Sequence, residues 1–461
     1  MLDDRLITRL LEVSLEGGAD FAEVFAEDVS RSGVSLDDGR VENLSSSRDR
    51  GVGIRVITGD TTGFAHTADL SEEALVDAAR TAAAAAGAGS GTSVATVGER
   101  VERGTPPAID PSTISKTDKV ALVQEADRAA RAHDEAITQV SARYADNRRR
   151  ILIANSDGIF VTDDQTRTNF AVTAVASGDV GLQTGYESVG LSMGFELFDR
   201  YDVAELATTA AERAMTKLSA APAPSGTHVV VIGPGSGGVL FHEACGHGLE
   251  ADLVNKGASV FAGKVGEQVA SPLVTLIDDG TMPGEWGHYE VDDEGNPATR
   301  NVLIEDGVLK DYLWDHRQAR RDARRSSGNG RRQSYRHLPM VRMTNTYLAG
   351  GDATPEEIIG GVDNGVYVAK LGGGQVNTAS GDFVFGMTEA YLIENGQITT
   401  PLREGQLIGN GPKVLRQIEA VGNDFEMGPP GTCGKDGQGV PVGDGVPTLR
   451  VAELTIGGTA A

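Results

Sequence analysis

Cysteine is nearly missing from this chain: two residues in 461. Two thiols cannot staple a protein of this length, which excludes a disulfide framework and suits a reducing cytosol. Long apolar runs are missing too. No stretch approaches the roughly 18–20 apolar residues of a membrane span. Met1-Leu2-Asp3-Asp4-Arg5 lacks the basic start and apolar core of a signal peptide, so a cytoplasmic location is expected. Basic residues are in deficit. Lys+Arg is 41 against 66 for Asp+Glu, a formal net charge of −25. This argues against a protein built to bind nucleic acid or an anionic membrane, both polyanions.

Length suggests two or three domains at about 100–200 residues each. Glycine is abundant and uneven: 20 fall in residues 1–226 and 40 in residues 227–461, with no collagen-like period. The change coincides with Ala221-Pro222-Ala223-Pro224-Ser225-Gly226, which reads as a linker. The expected division is an N-terminal α+β domain over 1–220 and a β-rich C-terminal domain over 227–461.

In the first half, residues 3–15 carry a helical stripe of Leu6, Leu10, Leu11 and Val13. Ser71–Ala86 reads as a helix capped by Ser71, and Asp118–Ala132 and Tyr201–Leu218 as further helices. Phe21–Glu27, Val34–Leu36 and Gly51–Ile57 read as strands. Residues 136–195 alternate in strand fashion around a hairpin turn at Asn155–Gly158. The second half reads as strands at Val229–Ile232, Val302–Ile304, Tyr367–Lys370, Asp382–Phe385, Glu389–Ile393 and Val451–Ile456. One helix, Gly238–Leu253, interrupts them.

That helix contains Phe241-His242-Glu243-Ala244-Cys245-Gly246-His247-Gly248. The zinc-peptidase helix His-Glu-x-x-His sets its histidines four apart on one face. Here they are five apart. At 100° per residue a regular α-helix would splay them by about 140°. Either the pattern is accidental, two satisfied helix histidines, or the helix widens locally into a π-bulge that brings i and i+5 together. Gly246 and Gly248 loosen the backbone where that widening is needed.

A catalytic metal needs a third ligand. The thiols are Cys245, which can serve as a small core residue, and Cys433, set between glycines in Gly431-Thr432-Cys433-Gly434-Lys435. Lys435 is near enough in sequence to lower the Cys433 pKa. The bland readings of Cys433 are a free thiol or a disulfide with Cys245. A His, His, Cys set suits Zn²⁺ and leaves a fourth position for water. Glu243 is then the natural general base; its bland reading is a first-turn carboxylate favoured by the helix dipole.

Two more stretches stand out. Residues 317–342 hold nine arginines. They read as a solvated, acid-paired face or as a polar cleft wall, with Tyr335, Arg336 and His337 as candidates to hold an oxyanion. Gly372–Gly386 includes Gly381, Asp382 and Phe383. It lacks the lysine and helix of a phosphate loop and reads as a core turn or as a strand edge on which an extended peptide can pair.

His-Glu-x-x-x-His with a distant Gly-x-Cys-Gly-Lys-x-Gly-Gln resembles the TldD/PmbA family, on its TldD side. Asp278-Asp279-Gly280-Thr281, Asp292-Asp293-Glu294-Gly295 and Ser327-Gly328-Asn329-Gly330-Arg331-Arg332 match the family's character. The resemblance implies a cytosolic metallopeptidase acting on unstructured peptides, paired with a PmbA-like subunit or with itself. It implies an α+β N-terminal domain and a barrel-like C-terminal domain carrying the metal helix. It implies His242, His247 and Cys433 as ligands of one Zn²⁺ and Glu243 as the catalytic residue. The rival expectation is a non-catalytic interaction protein whose metal site is structural or empty.

Overall fold

The computed structural model describes residues 2–89, 97–377 and 379–459. Thr378, inside the glycine-rich stretch, lies outside them. The architecture is α+β throughout, an N-terminal mixed unit followed by a β-rich body that contains a closed barrel.

The N-terminal unit is one seven-stranded sheet. Its centre is the strand Phe21–Asp37, antiparallel to Arg40–Thr58 on one side and to Ile137–Asn155 on the other. The expected strands Phe21–Glu27 and Val34–Leu36 are two ends of this single element. Of the residues between them only Val29 is a large apolar one, so alternation gave no sign of a strand. They stay in the sheet through cross-strand charge: Asp28 takes Arg150 at 3.0 Å and also pairs with Arg48. The turn expected at Asn155–Gly158 joins Ile137–Asn155 to Phe160–Gly178. Asn155 Oδ1 accepts the backbone N–H groups of Asp157 and Ile159, and Gly158 supplies a φ of 94°.

Helices cover two ends of this sheet. Asp4–Leu15 buries Ile7, Leu10 and Leu11 against Glu72–Ala86 and the strands Phe21–Asp37 and Arg40–Thr58. Lys116–His133 and Val203–Leu218 pack over the other end with Tyr144 and Phe170. Ser71 caps its helix by accepting from the Ala74 N–H.

The stretch Ala221–Gly226 is not a loose tether. Ala221–Pro222 pairs with Leu402–Arg403, the Ala223 N–H donates to the Arg403 carbonyl, and Ala223 is fully buried. Proline is tolerated there because the strand is an edge.

In the C-terminal body, Gly226–Ile232, Asn364–Asn377, Asp382–Glu394, Gly405–Asn410 and Leu449–Gly457 close into a five-stranded barrel. A second sheet holds Leu276–Asp279, Arg300–Glu305, Asn345–Leu348 and Gln438–Val446, with Gly431–Lys435 hairpinned to the last. One apolar core runs between the two sheets.

The arginine-rich stretch divides: Arg317, Arg320, Arg321, Arg324, Arg325 and Arg336 are exposed, with Arg324 paired to Asp311 and Arg336 to Asp49, as on a solvated, acid-paired face. Arg331, Arg332 and Arg342 are buried. Arg332 pairs with Glu23 and Arg336 with Asp49 on the N-terminal sheet, and Arg55 of that sheet reaches Glu294 at 2.8 Å. The joint between the two units is therefore charged.

Candidate metal centre

The expected helix Gly238–Leu253 is real only in part. An α-turn, Gly238–Phe241, passes into a π-turn, His242–Gly246, and then a 3₁₀-turn, His247–Leu249. Glu250 is extended, and a short helix resumes at Ala251. The His247 N–H donates to the His242 carbonyl, the i to i−5 bond of a π-helix. The extra residue turns His242 and His247 toward each other, with ring centroids 5.3 Å apart.

Packing holds this geometry. A Cβ on Gly246 would lie 2.1 Å from Met343 Sδ, and one on Gly411 would lie 2.3 Å from the Ala244 carbonyl oxygen. The π-turn is thus clamped from two sides by elements distant in sequence.

Cys433 arrives from the hairpin strand Gly431–Lys435. Its Sγ lies 3.4 Å from His247 Nε2, and one donor atom each from His242, His247 and Cys433 lie within 4.8 Å of one another. All three side chains are buried. Both cysteines are free, and Cys245 sits in the apolar core, where burial pushes its thiol pKa up.

Burial would push the Cys433 thiol up too, but the His242 and His247 imidazoles outweigh it and bring the pKa down to about 4. Lys435, expected to tune this thiol, is engaged elsewhere. It bridges Glu250 at 2.9 Å and Asp252 at 2.8 Å. Burial opposes charge on His247, yet Glu250 and the thiolate push its pKa well up. Burial likewise opposes charge on Glu250, but Lys435 and His247 hold it at about 2.

Glu250 was not anticipated from the sequence. It is fully buried and lies 2.9 Å from His247 Nδ1, which leaves Nε2 facing Cys433. A carboxylate behind a ligand histidine fixes its ring orientation and raises its basicity. The signal was present: Glu250 follows His247 by three residues.

The donor set fits a metal. Among the described residues, both ring nitrogens of His242 are buried without a hydrogen-bond partner. Buried imidazole nitrogens normally find a partner. Two imidazoles and a thiolate are the ligand types that zinc favours. Glu243 stands beside the three donors, its Oε2 3.8 Å from His247 Nε2, and its side chain is partly exposed. It borders a cavity of about 470 Å³, together with His247, Gln375, Val376, Gly434 and Lys435.

The other sequence candidates sit elsewhere. Tyr335 is buried against Phe25 and Ile151 of the N-terminal sheet, with its hydroxyl 3.4 Å from Asp49. Arg336 pairs with Asp49, and His337 lies 2.9 Å from Ser334 Oγ. Gly381 forms a turn, Asp382 accepts from Ser380 and Asn410, and Phe383 belongs to the core. None of the six is among the residues lining the cavity.

Comparison with known proteins gives a consistent picture. Family models match over three segments: PmbA/TldA metallopeptidase domain 1 over 22–86, the central domain over 109–218 and the C-terminal domain over 225–458. A metalloprotease TldD homolog of Haemophilus influenzae is 38% identical over 99% of this chain and 97% of its own. A metalloprotease of Methanothermobacter thermautotrophicus is 37% identical, with 97% of each chain covered. TldE from Thermococcus kodakarensis shares the fold, with a TM-score of 0.77 at 21% identity over 97% of this chain and all of its own. No helix among the described residues is long and apolar enough to cross a membrane. The chain belongs to the PmbA/TldD family of metallopeptidases, in its TldD branch.

Proposed function

We propose that this chain is a zinc-dependent peptidase that cleaves unstructured peptides, with Glu243 as general base. The observation that carries it is the meeting of His242, His247 and Cys433 donors within 4.8 Å, with a partly exposed Glu243 beside them at the cavity.

His242, His247 and Cys433 would hold the ion. Bound zinc supplies Lewis acidity toward the scissile carbonyl and lowers the pKa of a water toward about 7. Glu243 accepts the proton from the attacking water and delivers it to the leaving amine nitrogen. Glu250 keeps the His247 ring oriented throughout.

The strand Asn364–Asn377 supports an extended substrate. Residues 366–368 have neighbours on both sides, but Gly374–Asn377 pair only with Phe385–Asp382 among the described residues. Gln375 and Val376 of this open edge line the cavity. Such an edge takes a peptide backbone by strand addition, whatever its side chains. Gly381, Asp382 and Phe383 would then support the edge from the turn and return strand.

A cytoplasmic location accords with two free cysteines. Assembly with a PmbA-like subunit or a second copy is checked by light scattering on the protein alone and with that subunit.

The decisive variant is Glu243→Gln. Cleavage of an unstructured fluorogenic peptide is expected to fall by about 10²-fold or more, with metal content unchanged. Equal cleavage by the variant, or no cleavage by metal-loaded wild type with or without a PmbA-like subunit, would favour a non-catalytic binding role instead.

A further inference from the structure

A second cavity, of about 160 Å³, lies where the N-terminal sheet meets the C-terminal body, and it shares no lining residue with the cavity at the metal centre. Its walls carry Arg31, Arg149, Arg167, Arg331 and Arg332, opposed by Asp292 and Asp293. In a chain of net charge −25 this is a local inversion of sign.

The two carboxylates are already committed. Asp293 pairs with Arg149 Nη1 at 2.7 Å and accepts the Arg332 backbone N–H. Asp292 accepts the backbone N–H groups of Glu294, Asn296 and Gly330. Burial and the neighbouring Glu294 push its pKa well up. Arg149 is completed by Glu27, and Arg332 takes Glu23.

Arg167 and Arg331 are left with neutral partners. Arg167, 2% exposed, donates to the carbonyls of Trp286 and His288 and to Gln165 Oε1. Arg331, 4% exposed, donates to the carbonyls of Met343 and Pro441 and lies over the Tyr289 ring. Neither forms an ion pair with a carboxylate among the described residues. A guanidinium has five N–H donors; Arg167 uses three and Arg331 two. Arg332 adds a buried Nε and Nη1 without hydrogen-bond partners among the described residues. Burial, Arg331 and Arg149 together pull the Arg167 pKa down to about 9, against the weaker opposing attraction of Asp163 and Asp293. Like charges buried side by side call for a counter-ion.

We propose that this cavity binds a small oxyanion of the phosphate or sulfate type, held by Arg167 and Arg331, which completes the charge of the joint between the two units. Guanidinium donors match the oxygens of such an anion and hold it through charge-assisted hydrogen bonds. The volume admits a few waters or one compact anion, and excludes a nucleotide or a folded peptide segment. Arg31, exposed on the strand Phe21–Asp37, supplies charge at the rim.

The test uses the full-length protein, dialysed free of phosphate and sulfate. Sodium phosphate is titrated against sodium chloride at matched ionic strength, by thermal unfolding and by calorimetry. A saturable rise in Tm and one phosphate per chain are expected. Arg31→Ala should weaken phosphate binding by about tenfold. Arg167→Met should abolish the response. Its stability in phosphate-free buffer serves as its own baseline, because the change also removes the donors to the Trp286 and His288 carbonyls and to Gln165 Oε1. Cys433→Ser should keep the response, since phosphate held at the metal centre would be lost with the ligand. Phosphate acting no differently from chloride overturns the proposal. So does a response lost in Cys433→Ser but kept in Arg31→Ala and Arg167→Met. Should Arg167→Met fail to fold, the Arg31→Ala titration decides.

Discussion

At the scale of single residues, the centre depends on how charge is arranged around His247. Its Nδ1 faces Glu250, Glu250 is held by Lys435, and its Nε2 faces Cys433. Glu250→Gln keeps the shape and removes the charge. Metal affinity should fall by about 10–100-fold, the usual cost of losing a carboxylate behind a ligand histidine. Competition with a chromophoric chelator measures it, and an unchanged affinity would show Glu250 to be only a filler of space. Cys433 makes a prediction in pH. The fold lowers its pKa to about 4, below the ordinary thiol value, so the thiolate contributes stability above the ordinary thiol range that is lost as pH falls through about 4. In metal-stripped protein, thiolate ultraviolet absorbance should therefore persist down to about pH 4. It should vanish in Cys433→Ser and be unaffected by Cys245→Ser, whose thiol is pushed up by burial.

At the scale of elements, the π-turn matters most. The sequence posed the question of its register, because histidines five apart cannot share a face of a regular helix, and left an accidental pattern as the alternative. What clamps the turn was not legible locally. Gly411 and Met343 reach it from far along the chain. Gly411→Ala puts a methyl group 2.3 Å from a backbone oxygen that cannot rotate away. It should cost about 1–3 kcal/mol in unfolding free energy and lower the metal content per chain. Gly434→Ala is the matching control. Its Cβ would meet nothing within 4 Å, although Gly434 neighbours Cys433. It should stay within about 0.5 kcal/mol of wild type and keep its metal. A large loss in Gly434→Ala would mean that glycine beside the thiolate is needed after all.

At the scale of the whole molecule, the two units are joined through buried charge beside an apolar cluster of Phe25, Ile151, Val291 and Tyr335. Glu23 sits fully buried between Arg55 and Arg332, one from each unit. Removing one partner of such a pair leaves a buried charge unanswered, which costs about 3–5 kcal/mol. Glu23→Gln should therefore lower the unfolding free energy by that order, or split the thermal transition in two as the units part. A variant as stable as wild type, with one transition, would show that apolar contacts alone hold the joint.

The sequence by itself determined the pieces. The stripe of Leu6, Leu10 and Leu11, the cap at Ser71, the turn at Asn155–Gly158 and the histidine spacing are local patterns that local physics reads directly. The Gly-flanked Cys433 was legible as a donor because the chain offers only one other thiol. Tertiary structure decided the rest. It ran the strand Phe21–Asp37 through its charged middle, because ion pairs across the sheet replaced apolar alternation. It fixed Lys435 to Glu250 and Asp252 rather than to Cys433, because cation and carboxylates are neighbours only in space. It placed Tyr335, Arg336 and His337 at the joint rather than at the cavity, since a polar run carries no record of its partner. Periodicity and spacing are written within a few turns of chain; burial and charge pairing arise only when distant segments close on one another.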